Sequence, residues 1–130
     1  MPRILIVDDE RSVVLLIRQV LIERGYETCE APNGLAGLKW FQSQFIDLII
    51  TDLKMPNMDG MTFLREVKRQ EPTIPVIVLT AHGSPESASE AQECGAFTYL
   101  AKPFEMDELL RLIEGLVGPG KNAVSLACVS

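Results

Sequence analysis

Cysteine is scarce in this 130-residue chain, and the three present, Cys29, Cys94 and Cys128, stand far apart with no C-x-x-C spacing. That argues against a disulfide framework and against a structural zinc site. Positive charge is short as well, with 12 Lys and Arg against 18 Asp and Glu, a net charge of −6. A surface that grips a nucleic acid backbone is ordinarily basic, so direct contact with DNA is not expected of this chain. Long hydrophobic runs are missing: Ile4 to Val7 is interrupted after four residues by Asp8-Asp9. A signal peptide or a membrane span needs a longer run, which leaves the cytoplasm as the default location. Glycine is absent from the first strand-to-helix turn, Asp8-Asp9-Glu10-Arg11-Ser12, where a nucleotide-binding domain needs it to let the backbone approach a pyrophosphate.

What is present suits one globular domain. An apolar fraction of 47% with 23% charged residues is ordinary, and the length buries one core without covalent staples. Ile4–Val7, Leu48–Thr51, Val76–Leu79 and Phe97–Leu100 read as strands, and Tyr26–Glu30 as a weaker fifth that alternates as an edge strand would. Between them run segments of helical period. Val13, Leu16, Ile17 and Val20 form one stripe, Leu35, Leu38 and Phe41 a second, and Phe63, Leu64 and Val67 a third. The last helix carries Met106, Leu109, Leu110, Ile113, Leu116 and Val117. Gly25 and Gly95 end helices, Asn33-Gly34 opens one, and Ser84-Pro85 reads as N-cap and N1. Strict alternation of strand and helix predicts an α/β fold, a parallel sheet with helices on both faces and the most apolar strands at its centre. The segment from Ser84 to Cys94 has an inward stripe of only Ala88, Ala91 and Cys94, so its helix is expected to bury little and to shift readily. Gly118-Pro119-Gly120 reads as a helix stop and flexible joint. The domain is therefore expected to span residues 1–118, with 119–130 a tail, a linker stump or an expression remnant.

In an open α/β sheet, function collects at the carboxyl ends of the strands. Here those ends carry Asp8-Asp9, Asp52, Thr80 and Lys102-Pro103. An aspartate at a strand end often only caps the next helix, but five such residues on four strand ends point to a shared site. Crowded carboxylates repel one another unless a cation neutralises them. Oxygen-only ligands suit Mg2+ or Mn2+, and a dication beside a carboxylate can bridge it to a phosphoryl group. The carboxylate itself can be the nucleophile, giving an aspartyl phosphate, with Lys102 and Thr80 offering an ammonium and a hydroxyl to the phosphoryl oxygens.

The pieces Ile4-Leu5-Ile6-Val7-Asp8-Asp9-Glu10, Asp52-Leu53-Lys54-Met55-Pro56, Met58-Asp59-Gly60, Leu79-Thr80-Ala81 and Lys102-Pro103-Phe104 resemble, in order and spacing, the response-regulator receiver domains of two-component signalling, from Arg3 to about Val117. The resemblance implies a flavodoxin-like (βα)5 sandwich with strand order 2-1-3-4-5. It implies that Asp52 is the phosphoacceptor, that Asp9 and Asp52 hold Mg2+ directly, with Asp8 acting through water, and that the Lys54 carbonyl is a further metal ligand. It also makes Thr80 the switch hydroxyl, Tyr99 the switch aromatic and Lys102 the phosphoryl clamp, with a cis Lys102–Pro103 peptide. Lys54 and His82 would overhang the rim and tune hydrolysis. The implied donor is a sensor histidine kinase or a histidine phosphotransfer domain. The implied output runs through the face of helix four, strand five and helix five, to a C-terminal domain or separate target, with homodimerisation on phosphorylation one route. A weaker resemblance, in His82-Gly83-Ser84 and Gly95-Ala96-Phe97, is to receivers of AAA+ activators that work with an alternative sigma factor.

Leu15 and Ile22 fall opposite the core stripe of the first helix, beside Arg11 and Arg18, and could dock a partner kinase. Trp40 and Cys29 are read as packing or surface residues. Two alternatives remain. A haloacid-dehalogenase-type phosphatase or phosphotransferase would place its nucleophile after strand one, where Asp8-Asp9-Glu10-Arg11-Ser12 matches D-x-D-x-T imperfectly. A degenerate receiver would act only as an interaction module.

Overall fold

The computed structural model describes residues 2–53, 58, 60–81 and 84–120. Strands β1 (Arg3–Val7), β2 (Glu27–Ala31), β3 (Leu48–Thr51), β4 (Val76–Thr80) and β5 (Thr98–Ala101) alternate with helices α1 (Arg11–Glu23), α2 (Gly34–Ser43), α3 (Gly60–Gln70), α4 (Pro85–Glu93) and α5 (Met106–Val117). All strand pairs are parallel, in the order β2-β1-β3-β4-β5. The three central strands are the ones that are apolar and buried along almost their whole length.

The two-residue period of a strand divides each run between two cores. Ile4, Ile6, Leu48, Ile50, Ile77 and Leu79 pack against Val14, Ile17 and Leu21 of α1 and Leu109, Leu110 and Ile113 of α5. Leu5, Val7, Ile49, Val76 and Val78 face the other way, onto Phe63, Leu64 and Val67 of α3, Ala91 of α4 and the inner side of α2. Each such aliphatic or aromatic side chain contributes about 1.5–3 kcal/mol when fully buried, so two layers of helices clamp the sheet.

Local signals set the ends. Asn33 caps α2, its side chain accepting from Ala36 N at 2.8 Å, and Ser84 caps α4 with Pro85 at the first helical position. Gly25 and Gly95, at φ of 87° and 106°, take the left-handed turns that follow α1 and α4.

Three expectations are corrected. The buried stripe of α1 is Val14, Ile17 and Leu21, whereas Leu16 is 54% exposed. Residues 13–17 are all apolar, so periodicity could not say which side faces in. On α2 the buried positions are Gly34 and Gly37, and Leu35 is exposed. Leu38 and Phe41 of the expected stripe do pack against the core, while a Cβ on Gly37 would come within 2.9 Å of the Val7 side chain and 3.1 Å of the Phe63 ring, so the closest approach of α2 to the sheet is made at glycine. Finally, Gly118–Gly120 is tethered instead of loose. The Tyr26 hydroxyl donates to Gly118 O at 2.8 Å, Arg24 pairs with Glu114 at 3.3 Å, and buried Gly120 lies against the Arg24 carbonyl so closely that a Cβ would meet it at 2.1 Å.

Candidate functional site

The sheet carries its polar residues one step past each strand, and the backbone ladder continues far enough to hold them. Asp8 N donates to Ala31 O at 3.0 Å, Asp52 N to Val7 O at 2.9 Å, and Lys102 N to Thr80 O at 3.0 Å. Because β1 lies between β2 and β3, and β4 between β3 and β5, these residues meet on one rim. Asp8, Asp9 and Asp52 each offer a carboxylate oxygen, and these atoms all lie within 4.8 Å of one another. The Lys102 ammonium donates to Asp8 Oδ2 at 2.7 Å, Glu10 Oε1 at 3.2 Å and Asp52 Oδ2 at 3.3 Å. The Lys102–Pro103 peptide is cis.

Two backbone N–H groups fix the acids further: Glu10 N donates to Asp8 Oδ1 at 2.9 Å and Leu53 N to Asp52 Oδ1 at 2.6 Å. Asp8, Asp52 and Thr80 are buried, Asp9 is exposed, and Lys102 is nearly so enclosed that its side chain is 8% exposed. Burial is the largest influence on Asp8 and raises its carboxyl above the usual carboxylate range, outweighing the Lys102 ammonium and the Glu10 N–H. Burial alone would lower Lys102. The hydrogen bond and charge of Asp8, the charge of Asp52 and the Glu10 contact together push it up to about 12.

These shifts have a consequence for the metal-free protein. A carboxyl whose folded pKa is raised binds its proton more tightly in the folded state, so its contribution to stability declines as pH rises through that range. Asp8→Asn is therefore expected to melt higher than the parent at pH 7 without metal. With Mg2+ present the order should reverse, because the parent keeps all its oxygen ligands and binding to the folded state adds stability. Thermal melts with and without Mg2+ check both signs.

The residues predicted from the sequence thus fall in three places. Asp8, Asp9, Asp52 and Lys102 come together, with Thr80 at the end of β4 beside them. Tyr99 lies on β5 among the side chains beneath α4, and its hydroxyl is 3.4 Å from Ser87 Oγ. Leu15 and Ile22 are 42% and 45% exposed on α1. Lys54 and His82 lie outside the described residues. Trp40 donates its Nε1–H to Glu30 O at 3.1 Å, and Cys29 is buried. Sequence reasoning passed over Glu10, although it directly follows the aspartate pair and so shares the strand end that reaches Lys102. It also passed over Gly60, whose place is so tight that a Cβ would sit 1.9 Å from Asp52 O and 2.6 Å from Leu53 Cα.

An all-oxygen donor set of three carboxylates, with an ammonium supplying only part of the neutralising charge, fits a hard dication such as Mg2+. The set lies at the switch point of a 2-1-3-4-5 sheet, where open α/β folds place their sites. Comparison with known proteins agrees. Residues 4–114 match the family described as the response regulator receiver domain, and the chain belongs to that family. It is 42% identical over 112 residues to regulatory protein AtoC of Escherichia coli, covering 86% of this chain and 24% of that protein. It is 40% identical over 107 residues to sporulation initiation phosphotransferase F of Bacillus subtilis, covering 82% of this chain and 86% of that protein. The chain thus spans about a quarter of the first relative and most of the second. Among solved structures, a CheY-like receiver domain protein from Methanospirillum hungatei superposes with a TM-score of 0.85 at 31% identity, covering 88% of this chain and 92% of that one. Response regulator TrrA from Thermotoga maritima, in complex with Mg2+–BeF, gives 0.81 at 36% identity, covering 90% and 100%. No helix among the described residues is long and apolar enough to cross a membrane.

Proposed function

We propose that the chain is a phosphorylation-activated switch in which Asp52 takes a phosphoryl group from a sensor histidine kinase or a histidine phosphotransfer domain. The observation that carries this is the convergence of three carboxylate oxygens within 4.8 Å of one another with the Lys102 ammonium at 3.3 Å from Asp52 Oδ2. In the transfer, an Asp52 oxygen forms the new P–O bond as the P–N bond to the donor imidazole breaks, and that nitrogen takes up a proton. Asp8, Asp9 and Asp52 would hold Mg2+, with the Lys54 carbonyl a further ligand. When bound, the cation neutralises charge that develops on the phosphoryl oxygens. Lys102 turns one of its N–H groups to a phosphoryl oxygen, for which its reach to Asp52 already suits it. Thr80, buried beside the pocket, offers a hydroxyl to another.

The added charge and acceptor oxygens draw Thr80 inward, Tyr99 follows, and α4 repacks. The single fully buried side chain of α4, Ala91, supports this, since an element that buries little moves cheaply. The α4–β5–α5 face is the output surface, toward a C-terminal domain, a separate target or a second copy of the chain. Residues 1–118 form the switch and 119–130 follow it. The setting is cytoplasmic, and any contact with DNA belongs to another domain. Lys54 and His82 adjust the lifetime of the phosphoryl group.

Incubation with Mg2+ and acetyl phosphate tests the acceptor. One phosphoryl group should add per chain and map to Asp52, and Asp52→Asn should abolish the labelling. Labelling of Asp8, or persistence in Asp52→Asn, would overturn the assignment and favour a haloacid-dehalogenase-type reaction.

A kinase should dock on α1. Leu15, Leu16 and Ile22 are exposed there, and Val13 and Leu16 line a groove of about 400 Å3 with Pro103, Phe104 and Met106, beside Glu10 and Lys102. This groove at the rim, with Leu15 and Ile22 exposed on the same helix, suits a helical partner that must bring its phosphohistidine to Asp52. Leu15→Glu with Ile22→Glu is expected to slow transfer from the cognate kinase about tenfold or more, the loss of one or two buried anchors, while acetyl phosphate labels the variant at the parent rate. Equal slowing of both donors would count against docking.

A further inference from the structure

The first turn of α4 and the switch aromatic share one hydroxyl. Ser84 Oγ accepts from Ser87 N at 3.1 Å and Ser84 N donates to Ser87 Oγ at 2.9 Å, closing a reciprocal cap. That arrangement ordinarily has a Glu or Gln at the third helical position, whose long side chain reaches back. Serine is short, so its Oγ stays against the turn, where it also meets Ser84 O at 3.1 Å and the Tyr99 hydroxyl at 3.4 Å. A hydroxyl has one proton and two lone pairs. The Ser84 N–H occupies one lone pair, Ser84 Oγ lies 3.3 Å away as a second donor, and the Ser87 proton has both Ser84 O and the Tyr99 oxygen within reach, so the Ser87 and Tyr99 hydroxyls pair with either one as donor. Tyr99 cannot turn away without giving up this bond.

The surroundings make the bond count. Tyr99 is half-buried on β5, which among the described residues is an edge strand paired with β4. Helix α4 fully buries only Ala91. Where a helix that buries so little meets the sheet edge, one specific hydrogen bond adds appreciably to what joins them.

We propose that Ser87 is a positioning residue of the switch: its hydroxyl holds Tyr99 against the first turn of α4 in the unphosphorylated protein and so favours the resting state. The proposal rests on the phosphorylation reading above. A contact made in one state and lost in the other shifts the balance by its own worth, and a neutral hydrogen bond corresponds to a factor of about two to ten.

The experiment is a titration of the full chain with fluoroberyllate in the presence of Mg2+, followed by the amide NMR signals of β5 and α4. Tyr99→Phe and Ser87→Ala should each tighten apparent binding about two- to tenfold, and the double variant should gain no more than either single one. Ser87→Thr, which keeps a hydroxyl, should stay near the parent. Additive effects, or parent affinity in Tyr99→Phe, would sink the latch while leaving Asp52 as acceptor intact. If Ser87→Ala loses α4 through its cap, Tyr99→Phe alone decides, because it removes only the phenolic oxygen. Failure of the parent to bind fluoroberyllate, or undiminished binding by Asp52→Asn, would remove the phosphorylation reading and the latch together.

Discussion

Replacing Gly60 with alanine is expected to cost about 3 kcal/mol or more, the upper end of what overpacking a tight site does. The added methyl group would sit 1.9 Å from Asp52 O and 2.6 Å from Leu53 Cα. Both obstacles are backbone, so no rotamer change relieves the clash. The first turn of α3 must move off β3, or the segment bearing Asp52 must give way, and Gly60 N would lose its 2.8 Å bond to Leu53 O. Either movement also displaces the Asp52 carboxylate from its neighbours, so labelling by acetyl phosphate should fall with stability. Gly115→Ala is the control. Gly115 is exposed on the outer side of α5 with nothing near its Cβ position, so alanine there should stabilise by up to about 1 kcal/mol through helix propensity. Urea denaturation of the two variants gives the comparison, and equal, small effects would mean that the α3 approach is looser than described.

Lys102→Met should cost about 2–3 kcal/mol in metal-free buffer. Removing one partner of a fully enclosed ion pair costs about 3–5 kcal/mol; here Asp9 and Glu10 are exposed on the same rim, admit water and soften the loss. The pH dependence should change with it. In the parent, an ammonium held up to about 12 contributes stability below its ordinary 10.5, which is lost as pH rises through about 12. In the variant that contribution is gone, while the burial that raises Asp8 is no longer opposed by the ammonium. The variant should therefore regain stability on acidification, as Asp8 takes up a proton, and Mg2+ should narrow its deficit more than it stabilises the parent. Phosphorylation should not recover with stability. Loss of a positioned cationic donor to the phosphoryl oxygens is expected to slow labelling about a hundredfold. A variant that labels at the parent rate would remove Lys102 from the chemistry.

The fold was legible where burial is complete. Central strands enclosed on both sides must be apolar on both sides, and β1, β3 and β4 announce themselves as unbroken runs. Caps were legible too, since Asn33 and Ser84 are residue types that satisfy helix N–H groups. Helix faces were harder. Five consecutive apolar residues at 13–17 carry no phase, so the inner side of α1 was misplaced by about one position. On α2 the sequence placed Leu38 and Phe41 on the inner side correctly but not Leu35, because the fully buried positions are glycines and carry no apolar signal.

The candidate site divides in the same way. Strand-end aspartates and the lysine could be listed from sequence, because a parallel sheet sends its polar residues to one rim. Glu10 and Ser87 could not be assigned, because their part depends on which atoms lie within reach across the fold: Lys102 for one, Tyr99 for the other.

Helix α5 runs antiparallel to the strands and ends where Tyr26 and Arg24 hold Gly118 and Gly120, at the pole opposite the acid pocket. Twelve residues at about 1.5 Å each put that pole some 18 Å from the helix's start beside Phe104. Gly118 and Gly120 are therefore held at the far end of the molecule from Asp52, against the turn between α1 and β2.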